Sequence, residues 1–298
     1  MDDPKAIINL GELAKPATVL IEKISEAIGG IFRPYQIKRV AQAEAEAERI
    51  KAMTQVELTD LHRRAMYRFI AEEAKKQDNI ETITRKALPE LKAEASPERV
   101  ENDWITNFFD KCRLISDEQM QELWARVLAG EANAPRTFSK RTVDLLASLD
   151  KSDAVSFSRL CSFGVFFDEL DETIPLVYDI EEPIYGSHGL DFFVLSELDS
   201  IGLIRFDEKH VTTWDPSRRG LLRYFDYTIC LDPVGKRLEL GGVILTKSGQ
   251  ELASICNPTP IMEFLEYLRG RWSRAGYKVD DLPNGVSRPK PSESKKRK

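Results

Sequence analysis

Cysteine is sparse and scattered. Cys112, Cys161, Cys230 and Cys256 are the only four in 298 residues, with no Cys-x-x-Cys pair and no histidine nearby. That spacing excludes a local zinc knuckle and a thioredoxin-like redox pair. Cys112, Cys161 and Cys256 fall in stretches that read as helical with apolar neighbours, so reduced, buried thiols in a cytoplasmic protein are expected. His62, His188 and His210 stand in no zinc-binding spacing. No charged segment followed by an apolar core opens the chain, and no apolar run approaches the ~20 residues of a spanning helix, so neither secretion nor membrane spanning is expected. Gly235-Lys-Arg237 lacks the spacing and the hydroxyl of a phosphate loop, and there is no Gly-x-Ser-x-Gly elbow. No cofactor, metal or catalytic residue is therefore expected. The net charge of -6 argues against a molecule that coats nucleic acid, although a local basic patch stays open.

Helix-forming sequence is abundant, and the patterning predicts a mainly α protein with a small C-terminal α+β part. Residues 1–33 form an amphipathic segment whose apolar face includes Leu20, Ile21, Ile24, Ile28 and Phe32. That face either packs on protein, its own or a partner's, or lies at a membrane surface, which would put the protein peripherally at the inner membrane. Lys15 and Lys23 are balanced by Glu12, Glu22 and Glu26, where an anionic membrane favours a cationic excess. Residues 34–96 run without Gly or Pro from Tyr35 to Leu88 and read as a long helical arm. Its coiled-coil character at Ile50, Met53, Val56, Leu58 and Leu61 suggests self-association. The cations His62-Arg63-Arg64, Arg68 and Lys75-Lys76 are interleaved with Glu57, Asp60, Glu72 and Glu73, a pattern of intrahelical ion pairs.

Residues 97–165 read as a bundle of short capped helices. In Ile115-Ser-Asp-Glu-Gln-Met120, Ser116 and Gln119 match a capping box and Ile115 can staple onto Met120, while Gly130 is the expected stop. Residues 166–276 change texture. A helix over 190–201 precedes strands at 202–206, 224–231 and 237–245, then a helix capped by Thr246 or Ser248 and a last one opening at Thr259-Pro260. Residues 277–298 are expected to be a disordered basic tail.

Leu198-Asp-Ser-Ile-Gly-Leu-Ile204 and Val243-Ile-Leu-Thr-Lys-Ser-Gly-Gln-Glu-Leu252 resemble the segments around the wing of winged-helix domains. Leu123-Trp-Ala-Arg-Val-Leu-Ala-Gly-Glu131 with Phe138-Ser-Lys-Arg-Thr142 looks like a bacterial family of uncharacterised proteins, similar in layout to abortive-infection (Abi-alpha type) proteins. The resemblance implies a bacterial setting and a role in phage defence, and it carries no catalytic residue with it.

These readings favour a non-catalytic assembly protein acting as a homo-oligomer, with a protein partner or at a membrane surface. Two alternatives stand beside it. A winged-helix DNA-binding protein would use Arg218, Arg219 and Arg223 as a basic wing, but the helix in the reading position carries Asp191, Glu197 and Asp199 and no cation. A metal-dependent nuclease would use Asp191 and Asp207-Glu-Lys209.

Overall fold

The computed structural model describes residues 14–29, 60–208, 211–215, 220–232 and 235–282. The chain divides into two compact units, Met1–Lys151 and Ser152–Lys298.

The described residues of the first unit are helical. They comprise α1 (Lys15–Ile28), α2 (Asp60–Ala87), α3 (Asn102–Cys112), α4 (Glu118–Asn133) and α5 (Lys140–Ser148), with 3-10 turns at Leu88–Glu90 and Pro97–Arg99. Helix α1 lays Ala17, Leu20, Ile21 and Ile24 on α3, while α2 packs its C-terminal half on α4. Trp104, Phe108, Phe109 and Trp124 fill the centre. Trp104 stacks on Phe108 at 5.1 Å and Trp124 meets Phe108 edge-on at 5.1 Å, both favourable offsets for ring quadrupoles.

Two details of α4 depart from the sequence reading. Its N-cap is Asp117, whose carboxylate accepts from the backbone N–H groups of Gln119 and Met120, so the expected Ser116 box is displaced by one residue. A carboxylate serves the cap better because it also meets the positive end of the helix dipole. Gly130 does not stop the helix, which continues to Asn133. A Cβ at Gly130 would come 2.7 Å from the Phe138 ring, so glycine is there to admit that ring.

The second unit contains α6 (Lys151–Cys161), a helical turn α7 (Pro183–Gly186), α8 (Phe192–Ser200), α9 (Lys247–Ala253) and α10 (Met262–Arg274). Strands β1 (Gly164–Phe167), β2 (Glu172–Pro175), β5 (Gly220–Tyr224), β6 (Tyr227–Leu231) and β9 (Val279–Leu282) make an antiparallel sheet in the order β2-β1-β5-β6-β9. Two ribbons accompany it: β3 (Ile204–Phe206) with β8 (Val243–Leu245), and β4 (Thr212–Trp214) with β7 (Leu238–Gly241).

The expected strand over 224–231 is thus a hairpin, with Tyr224 opposite Tyr227 and Phe225 at φ 51°. The expected strand over 237–245 is two strands with different partners. They divide at Gly241, whose φ of 95° and close approach to the Val177 carbonyl leave no room for a side chain. Thr246 caps α9 by accepting from Gly249 N–H, as read from the sequence, whereas α10 opens at Ile261-Met262 rather than at Thr259.

Candidate functional site

Two surfaces stand out, one in each unit. In the first, every residue of α2 from Asp60 to Lys75 is exposed, and burial on the bundle begins in earnest at Asn79 and Ile80. The exposed half is helical by propensity and by ion pairing: Arg64 meets Asp60 at 3.2 Å, Arg68 meets Glu72 at 3.4 Å and Lys76 meets Glu73 at 2.6 Å. The interleaved charges therefore pair along the helix as the sequence indicates. The same turns display Leu61, Met66, Tyr67, Phe69 and Ile70, of which Tyr67 is 70% and Phe69 63% exposed. Five large apolar side chains are thus exposed within about three turns, and exposed apolar surface of this kind marks an interaction site.

The apolar face of α1 has a different fate. Leu20, Ile21 and Ile24 are buried and Ile28 is half-buried, while Phe32 lies outside the described residues. The packing of α1 on α3 accounts for that burial within the unit itself.

The second surface is a cleft of about 690 Å³ in the second unit. Its anchor is Arg271 of α10, whose guanidinium lies 3.9 Å over the Tyr178 ring and reaches Glu182 and Glu239 at 3.4 Å each. Tyr178 accepts a hydrogen bond from Trp272 Nε1 at 3.1 Å. Burial raises the Tyr178 phenol above its ordinary range and pushes Tyr267 up to about 12, so both stay neutral donors at physiological pH. Lys236, Arg237 and Arg274 complete the rim, all three exposed and without an ion pair among the described residues. No sequence motif announced this cluster, because its members come from positions 178 to 274 and meet only through the fold.

Of the residues considered for nucleic acid, Arg223 is committed within its own unit: its Nε meets Asp168 at 2.9 Å and its guanidinium lies 4.4 Å over Phe166. Arg218 and Arg219 lie outside the described residues. Asp191 is the N-cap of α8, accepting from Val194 N–H at 2.9 Å, and Lys209 lies outside the described residues. Among the described residues no group of three or more His, Cys, Asp or Glu could hold a metal ion. Cys112, Cys161 and Cys230 are buried thiols outside any disulfide; Cys256, likewise in no disulfide, is half-buried just past the end of α9 rather than within a helix. No described helix is long and apolar enough to cross a membrane.

A family model matches residues 63–269, a span that includes most of α2 and every element from α3 to β8. The chain belongs to the DUF2806 family, proteins of unknown function. The match takes in the exposed turns of α2 from Arg63 onward and ends at Arg269, two residues before Arg271. No curated protein and no solved structure matches the chain.

Proposed function

We propose that the protein works by association, with the exposed half of α2 as its mating surface and a second copy of the chain as its partner. The observation that carries this is the exposure of Leu61, Met66, Tyr67, Phe69 and Ile70 on a helix whose other half is anchored in the bundle. The charge pattern supports self-pairing. Two copies laid antiparallel about Arg68 set Met66 against Ile70, Tyr67 against Phe69 and Arg63 against Glu73, placing apolar residues together and opposite charges across the seam. Light scattering after size exclusion tests it. A dimer that dissociates in Met66→Glu/Ile70→Glu, with the far-UV spectrum unchanged, is expected; a wild-type monomer at every concentration sinks the reading.

We infer further that the second unit holds a winged-helix-like module used for protein contact. The succession of α8, β3, the returning strand β8 and α9 supports the likeness. Exposed Phe193, 80% accessible, stands on α8 with Glu197 and Asp199, a surface that suits a protein and repels a phosphate backbone. A duplex-binding titration in which affinity falls with added salt, and falls again in Arg223→Ala, would favour DNA instead.

A further inference from the structure

We propose that the cleft around Arg271 binds a small molecule bearing a phosphate group. Its lining carries Lys236, Arg237, Arg271 and Arg274 against Glu182 and Glu239, an excess of two positive charges on a chain whose net charge is -6. The division of labour among these groups is what points to an anion. Arg271 has both edges engaged by carboxylates and one face on Tyr178, so it acts as a fixed floor. Lys236 and Arg237, on the approach to β7, and Arg274, at the end of α10, have no carboxylate partner among the described residues, Arg274 giving only its Nε to the Gly270 carbonyl at 3.2 Å.

Cations arriving from two sides of one cavity suit a tetrahedral group with oxygens directed to each, whereas a planar carboxylate is satisfied by one fork. The rim is also held in place before any ligand arrives: Tyr277 donates to the Lys236 carbonyl at 3.0 Å, tying the β7 approach to the chain that follows α10. A volume of about 690 Å³ is within the range of small-molecule sites.

Isothermal titration of the full chain with inorganic phosphate, AMP and, as the uncharged control, adenosine tests the assignment at fixed ionic strength. Saturable binding of AMP or phosphate and none of adenosine is expected, with affinity reduced about tenfold or more in Lys236→Ala/Arg237→Ala and again in Arg274→Ala. These side chains are exposed, so the variants should keep the wild-type melting curve, which is checked alongside. Absence of saturable binding by both phosphate probes at millimolar concentration overturns the proposal. So does equal affinity in the triple variant.

Discussion

Glu131 should be among the most destabilising positions in the first unit to alter. It is 3% exposed, and its two carboxylate oxygens accept from Arg136 N–H at 2.6 Å and Phe138 N–H at 2.9 Å. Those bonds fold the chain back after α4, where Arg136 sits at φ 77° and cannot rely on its own preference to hold the turn. The returning Phe138 then lays its ring over Gly130 and accepts from Trp104 Nε1 at 2.7 Å through its carbonyl, and Ser139 caps α5 by accepting from Thr142 N–H. The stretch Gly130-Glu131 with Phe138-Ser-Lys-Arg-Thr142 is therefore a clasp between helices. Removing the carboxylate in Glu131→Ala orphans two backbone donors, one of them fully buried, and opens a small cavity. Hydrogen bonds to a charged group contribute about 1.5–3 kcal/mol each, so a loss of about 3–5 kcal/mol is expected. In a unit of this size that corresponds to a fall of roughly 8–20 °C in melting temperature. Circular dichroism reads the melting, and hydrogen exchange at the Phe138 amide reads the clasp directly. Unchanged protection of that amide in Glu131→Ala would refute the reasoning even if the melting temperature fell.

Gly130→Ala should also destabilise, by about 1–2 kcal/mol in urea unfolding, because the strain against Phe138 outweighs the helix propensity that alanine gains. Tyr224, fully buried, donates to the Ser162 carbonyl and accepts from Ile261 N–H, so Tyr224→Phe should cost about 1–3 kcal/mol. Burial pushes the Tyr224 phenol up to about 12, and the sign follows: the unfolded phenol ionises near 10 and the folded one later, so stability is full below pH 10 and declines toward 12. Denaturation between pH 9 and 12 should show a shallower decline in Tyr224→Phe. The Asp117 carboxyl is held below its usual range, first by the Met120 N–H and also by Lys151, so its contribution is present above the ordinary carboxylate pKa and is lost on acidification through the folded value. In Asp117→Asn that acid-side loss should shrink, as read by helicity between pH 5 and 2.

The helical first unit was legible where one-face periodicity is strong. Trp104, Ile105, Phe108 and Phe109 recur at helical spacing and are buried together in α3. The differences there concern helix ends, where Asp117 and Ser116 are both competent caps one residue apart and the Asp117 carboxylate takes the Gln119 and Met120 N–H groups. The second unit was less readable. The turn at Phe225-Asp226 has neither glycine nor asparagine, so the pattern over 224–231 reads as strand straight through it and β5, before it, reads as connector. Gly241-Gly242 gave the opposite signal, a breaker inside an apolar run, and it marks the point where the chain leaves one ribbon for another. Strand β1 was hidden because Val165 and Phe167 follow directly on the apolar positions of α6. The Arg271 cleft depends on side chains about 90 residues apart in sequence, and a stacked arginine has no local signature.

The exposed half of α2 poses an energetic question with a measurable answer. An isolated helix of 16 residues is marginal in water because nucleation is costly. Residues 60–75 avoid that cost, since they extend a helix already nucleated by the burial of Ile80, Ile83 and Ala87. Propagation alone, aided by the Arg64–Asp60 and Arg68–Glu72 pairs at a few tenths of a kcal/mol each, leaves these turns only slightly favoured over coil. Hydrogen exchange along α2 should therefore be graded at low protein concentration, slow from Ile80 onward and fast toward Leu61. If a second copy covers Met66, Phe69 and Ile70, raising the concentration should slow exchange across residues 61–75 while leaving residues 80–87 unchanged, and Met66→Glu/Ile70→Glu should abolish that dependence. Slow exchange over 61–75 at the lowest concentration, unaffected by the double substitution, would mean that these turns are stabilised without self-pairing, and the assembly reading would fall with it.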